Sequence, residues 1–222
     1  MVTLRAPLAF MRTMAKFRWS PLYLSAGMRR SGSTLLFNIL RELLTIKYGA
    51  GLTSGWIDDL KHLPTGTAYL IKTHHLDSLR FRASAIFYTF RDIRVALVSD
   101  ARRFDERPSL ARVDEWIGQY TLAKRHATLC LKYEDLVTAP VEAVSSIAGA
   151  LAIDAEPEAI WALASDLESP ASGSYSKTTL LHPQHRTGTE DHDWREVLDP
   201  VLIRQMNEKY HWWFRECGYS AE

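Results

Sequence analysis

The sequence predicts one α/β domain in three layers, a central parallel sheet flanked by helices. Three observations carry this expectation. Apolar runs of strand length alternate with stretches whose apolar residues recur every three or four positions. The first run feeds a glycine-bordered loop that opens directly into a helical pattern. The 222 residues contain no internal repeat and no Pro- or Ser-rich linker, and that length suits one core. Residues 1–222 are therefore read as a single domain.

The elements follow in order. PLYLSA, residues 21–26, is the first strand. After it GMRRSGST, residues 27–34, leads into STLLFNILRELLTIKY, where Leu36, Ile39, Leu40 and Leu43 mark one face of a helix. A Gly-rich polar connection over 49–66 precedes AYLIKTH (68–74) and SAIFYTF (84–90), two apolar runs of the kind buried on both faces. Asp92 is placed to cap a helix over 93–106, and a second helix is expected over 109–127. TLCLKY (128–133) gives a fourth strand, with Cys130 read as a small core residue. Pro140 suits the first turn of a helix over 141–151, and Pro157 that of another to about 168. Residues 169–193 have little periodicity and read as a long loop, a lid over a binding site. A helix over 199–216 closes the chain before Gly218.

Charge is distributed unevenly although the net is only +1. Residues 1–107 hold 17 Lys and Arg against 8 Asp and Glu, while residues 108–222 hold 10 against 18. A basic N-terminal half suits a small anionic ligand, and nucleic acid is not the expected partner. Residues 1–19 carry Arg5, Arg12, Lys16 and Arg18 without an acid and read as a basic arm or helix. No run approaches the ~20 apolar residues of a membrane span, so no stable insertion is expected. Two distant cysteines, Cys130 and Cys217, fit a reducing cytoplasm rather than a disulfide framework.

The loop GMRRSGST almost matches the phosphate-binding pattern G-x-x-x-x-G-K-[ST], with Gly27, Gly32 and Thr34 in place. Its lysine is missing, because Ser33 stands there. Backbone N–H groups around Ser31, Gly32, Ser33 and Thr34, at a helix N-terminus, would still form a nest for a tetrahedral oxyanion, with Arg30 as its cation. At the end of the second apolar run, Lys72 and His74 should share a face while Thr73 and His75 point away. His74 there is a candidate general base. Arg91 ends the third run, and Ser99 lies eight residues on. Periodicity alone makes that segment a basic amphipathic helix with Arg94, Arg102 and Arg103 in solvent. In the long loop, Arg186, Thr187 and Gly188 follow His185. The neighbouring His182, His192, Asp191 and Asp193 match no zinc spacing, so no metal is expected.

In this order the segments resemble the sulfotransferases that use 3′-phosphoadenosine 5′-phosphosulfate (PAPS), over roughly residues 21–196. RRSGSTLL resembles their 5′-phosphosulfate loop, and IKTHHLDSL the strand end bearing a catalytic lysine and histidine, here Lys72 and His74. TFRDIRVALVSDARRF resembles the 3′-phosphate segment, with Arg91 and Ser99 at its two binding positions. LKYEDL matches the strand whose tyrosine lies near adenine, here Tyr133, and HRTG followed by DW resembles the C-terminal Arg-Lys-Gly and Asp-Trp elements. The chain departs from the pattern at Leu35, where cytosolic members stack an aromatic on adenine, and at Thr187, where the family has lysine.

The resemblance implies a P-loop-like fold that moves a sulfuryl group in line from PAPS to an acceptor hydroxyl or amine. The product would be adenosine 3′,5′-bisphosphate (PAP). His74 would take the acceptor proton, and Lys72 and Arg30 would stabilise charge on the sulfuryl oxygens and the departing phosphate. Arg30, Ser31, Gly32, Ser33, Thr34, Arg91, Ser99, Tyr133, Arg186, Thr187 and Gly188 would hold the donor. No metal is required. The acceptor is expected to be a small alcohol or phenol, in a cleft bordered by Trp56, Phe104 and the 49–66 segment. The alternatives are a nucleotide or small-molecule kinase on the same fold, and a non-catalytic nucleotide-binding protein.

Overall fold

Five parallel strands form one sheet in the order β2-β3-β1-β4-β5. The computed structural model describes residues 19–76, 78–167, 175–182 and 193–220. The strands are β1 (Leu22–Gly27), β2 (Leu52–Trp56), β3 (Ala68–Thr73), β4 (Ala85–Phe90) and β5 (Leu129–Lys132). The helices are α1 (Ser33–Tyr48), α2 (Ile93–Phe104), α3 (Leu110–His126), α4 (Tyr133–Thr138), α5 (Pro140–Leu151), α6 (Pro157–Ser165), α7 (Trp194–Val197) and α8 (Pro200–Glu216). Short 3₁₀ turns cover Gly49–Gly51, Ile57–His62 and Ser78–Phe81.

The middle strands are apolar on both faces because both faces are covered. On β1, Leu22, Leu24 and Ala26 join a core with Ile93, Leu97, Val113, Trp116 and Trp213, on the side of α2, α3 and α8. Tyr23 of the same strand joins Leu36, Leu40, Leu43, Val144 and Ile160, on the side of α1, α5 and α6. The two-residue alternation of a strand thus feeds two separate cores. β3 and β4 flank β1, with Ser25 opposite Lys72 and Gly27 opposite Thr89. The chain leaves β1 toward β2 on one side and crosses from β3 past β1 to β4 on the other, opening a crevice at the carboxyl ends of the strands, where open α/β sheets bind ligands.

Most expected elements form, with Asp92 accepting from Arg94 N at 3.0 Å to start α2 and Pro140 and Pro157 in the first turns of α5 and α6. Several details differ. β2 is a strand where a connection was expected. Its sequence, LTSGW, has weak intrinsic preference, and pairing with β3 makes it extended. α4 follows β5 without a loop, and α7 is an added turn. α2 stops at Phe104 because Asp105 turns left-handed, with φ 52°. Cys130 is exposed rather than a core residue, since β5 is the outer strand of the sheet. Arg94, expected in solvent, is buried between the rings of Trp194 (4.2 Å) and Phe214 (4.6 Å), where Asp92 pairs with it.

Of the long loop, residues 175–182 are described. They make a tight turn in which Ser176 N donates to Leu181 O and Leu180 N to Ser176 O, and bury Leu180 and Leu181. Asn38 of α1 holds the turn down through Nδ2 to Thr179 O at 3.0 Å. The rest of the expected lid apart from Asp193, and the basic arm apart from Trp19, lie outside the described residues. No helix among those described is long and apolar enough to cross a membrane.

Candidate active site

The glycine loop is folded so that its own polar groups support it from beneath. Met28 N donates to Thr89 O at 2.9 Å, and the buried Ser31 hydroxyl contacts Met28 O (2.6 Å), Thr89 O (3.0 Å) and Thr89 Oγ1 (2.9 Å). Arg30 and Gly32 both take left-handed backbone, φ 64° and 75°. This turns the chain sharply into α1, whose N-terminus is capped by no side chain and has no acid in its first turn. The first N–H groups of the helix thus have no intrahelical partner and carry the positive end of its dipole. A β-carbon at Gly32 would lie 2.6 Å from Cδ2 of Tyr133. The tyrosine ring packs directly on the loop backbone.

The ammonium absent from the loop arrives from β3. Lys72 Nζ donates to Thr34 Oγ1 in the first turn of α1. Burial, and secondarily the charge of Arg30, push its pKa down to about 7. His74 follows on the same edge, its Nδ1 2.8 Å from the carbonyl oxygen of Gly27. A carbonyl only accepts, so Nδ1 carries the proton and Nε2 keeps its lone pair for a substrate. Burial first, then Lys72, hold the imidazole neutral, with a pKa pushed down to about 3. Trp56, ending β2, stands against both: its ring is 5.6 Å from Lys72 Nζ and 5.3 Å from the His74 ring.

A second set of cations adjoins the loop. Arg30 Nε donates to Ser99 Oγ at 2.9 Å, drawing α2 to the nest. The Arg91 guanidinium lies over the Tyr133 ring at 4.4 Å. Burial lowers the Arg30 pKa, Asp100 opposes that shift, and Arg103, Arg91 and Arg29 add to it. The countercharge is Asp100, almost fully buried on α2. Arg29 Nε meets its Oδ1 at 3.0 Å and Arg112 its Oδ2 at 2.7 Å. Arg29 also stacks on Phe104 at 4.3 Å. One carboxylate thus offsets part of a cluster that otherwise repels itself.

The fold brings Arg30, Gly32, Ser33, Thr34, Lys72 and His74 together at one end of β1, with Arg91, Ser99 and Tyr133 beside them. Ser31 faces inward and supports the loop instead of opening on the crevice. Arg186, Thr187 and Gly188 lie outside the described residues. Asp100 was missed by sequence reading, because a charge on a basic helix gives no sign of burial, and so was its pairing with Arg29 of the loop.

By sequence the chain matches no family model and no curated protein. By structure it is similar to mouse sulfotransferase SULT7A1 complexed with PAP, at a TM-score of 0.61 and 18% identity over 94% of this chain and 90% of that one. The chain has the sulfotransferase fold. It is similar also to retinol dehydratase in complex with androsterone and inactive cofactor PAP, at a TM-score of 0.55 and 13% identity, covering 94% of this chain and 84% of that one. The same enzyme in a complex with retinol and PAP aligns at a TM-score of 0.56 and 13% identity, covering 95% and 85%.

Proposed function

We propose that the chain is a PAPS-dependent sulfotransferase, transferring a sulfuryl group to the hydroxyl of a small alcohol or phenol. The observation that carries this reading is the meeting of an uncapped, acid-free helix N-terminus with a buried Lys72 and a neutral His74 whose free nitrogen is Nε2. Those residues fit the donor. The N–H groups of Gly32, Ser33 and Thr34, with Arg30, suit its 5′-phosphate, and Arg91 and Ser99 suit its 3′-phosphate through charge-assisted hydrogen bonds. Tyr133 would border the nucleoside, and Arg186, Thr187 and Gly188 are proposed to complete the donor site. When bound, PAPS supplies an activated sulfuryl group on a phosphate leaving group.

The chain's own residues then do the following. His74 Nε2 accepts the proton of the attacking hydroxyl, while the Gly27 carbonyl fixes the ring through Nδ1. Lys72 and Arg30 stabilise charge on the transferring oxygens and on the departing phosphate, preorganised in a site from which burial excludes water. A sulfuryl group carries less charge than a terminal phosphoryl group. One ammonium brought in from β3 therefore serves in place of a loop lysine with its metal.

Thermal unfolding with PAP, and separately with ATP and Mg²⁺, tests the reading. PAP at 100 times its Kd should stabilise the fold by about 2.7 kcal/mol. A melting shift with PAP and none with ATP and Mg²⁺ supports the proposal. A shift with ATP and Mg²⁺ alone would make the chain a kinase, and no shift with either would make it a protein without this donor.

A further inference from the structure

Asn38 places an amide on the apolar stripe of α1, among Leu36, Phe37, Ile39, Leu40 and Leu43, where it is 1% exposed. A polar group buried in such a stripe is costly unless its hydrogen bonds are made. Nδ2 makes two, to Thr34 O at 2.9 Å and to Thr179 O at 3.0 Å, so both of its protons are placed. Oδ1 has no partner among the described residues, so the amide is engaged through its donors. The bond that leaves the helix goes to the turn 175–182, and that turn needs holding. Leu180 takes left-handed backbone there, φ 56°, which a side chain disfavours, while its own side chain is buried in one core with Leu36 and Phe37.

The turn lies on the β2 side of the crevice. Thr178 lines one groove with Leu52 and Ser54 of β2 and with Arg41 and Thr45 of α1. Trp56, next on that face of β2, stands against Lys72 and His74. Arg91 and Tyr133, suited to the donor, follow β4 and β5 on the opposite side of β1. The ends of the turn carry two rings, Tyr175 and His182, with centroids 4.6 Å apart. Burial, then Arg103 and Lys72, lower the His182 pKa, while burial, then Asp59, raise that of Tyr175. We propose, resting on the sulfotransferase reading, that Asn38 is a positioning residue for the acceptor: it holds the turn so that Tyr175 and His182 form the outer wall of the acceptor site. Thr34 O also takes the backbone N–H of Asn38 four residues on in the helix, so the donor nest does not depend on the amide.

The test is Asn38→Leu in the full chain. Leucine suits both the helix and its apolar stripe, so α1 is retained while the turn loses its tie. Tryptic cleavage after Lys177, an exposed lysine within the turn, reads its release. Steady-state kinetics with PAPS and 2-naphthol or cyclohexanol as acceptor, with PAP binding by calorimetry, read its role. Cleavage after Lys177 should speed up at least about fivefold, and the acceptor KM should rise at least about fivefold, with kcat and PAP affinity within about twofold of wild type. Tyr175→Ala and His182→Ala, both at exposed positions, should raise KM in the same way, and they carry the test if Asn38→Leu does not fold. Unchanged cleavage, an unchanged KM, a kcat that falls as far as kcat/KM, or a matching loss of PAP affinity overturns the positioning role while leaving the sulfotransferase reading standing. PAP binding by wild type without transfer to either compound overturns the acceptor wall and leaves the donor site standing. Failure of wild type to bind PAP overturns both readings together.

Discussion

Lys72 makes donor binding depend on pH in a way that can be worked out in advance. Its ammonium titrates near 7 in the ligand-free protein, because burial and Arg30 disfavour the charge. An anion seated on the first turn of α1, where Lys72 reaches Thr34, would hold that proton in place. The free protein is about nine-tenths protonated at pH 6, half at pH 7 and one-tenth at pH 8. Affinity for PAP should therefore fall about tenfold between pH 6 and pH 8 through this residue, with uptake of about half a proton at pH 7. The phosphates of PAP also titrate, so the comparison is with Lys72→Gln, in which that background is shared and position 72 no longer titrates. Calorimetry in two buffers of different ionisation enthalpy reads both the affinity and the proton count. An affinity ratio of wild type to Lys72→Gln that stays flat from pH 6 to 8, with no proton taken up, would refute the reasoning.

Other consequences follow from the same site. In the folded protein the Lys72 pKa is below its unfolded value, so the residue lowers stability below pH 7 and the deficit disappears as pH rises toward 10.5. Lys72→Met should accordingly raise the ligand-free melting temperature more at pH 6 than at pH 9. Gly32→Ala adds a β-carbon at φ 75° and 2.6 Å from Tyr133. It should cost about 1–2 kcal/mol for the backbone alone and weaken PAP binding, with part of the stability recovered in the Tyr133→Ala background. Ser31→Ala strands the buried Thr89 hydroxyl, and denaturant unfolding should show a loss of about 1–3 kcal/mol. His74→Ala should lower turnover by ~10²–10⁴-fold, with PAP affinity measured by calorimetry changed little. Near wild-type turnover in that variant would assign the base to another group.

The parts legible in the sequence are those set by local chemistry. The apolar runs at 21–26, 68–74 and 84–90 announced buried strands because both faces of each are covered. Gly27, Gly32 and the helical spacing after Thr34 announced the nest, since few residues allow so tight a turn into a helix. Asp92, Pro140 and Pro157 marked helix starts because capping and proline geometry act within one turn. Even Lys72 and His74 were visible, because a strand puts alternate residues on one face. What the sequence did not carry is proximity between distant segments. β2 is extended because β3 pairs with it, and it brings Trp56 against Lys72 and His74. Arg94 is buried because Trp194 and Phe214, a hundred residues and more away in the chain, close over it. The proton on His74 Nδ1 is fixed by a carbonyl 47 residues earlier. Tertiary structure decided these things because burial and electrostatic shifts depend on which segments are brought into contact, and a linear pattern reports only on its neighbours.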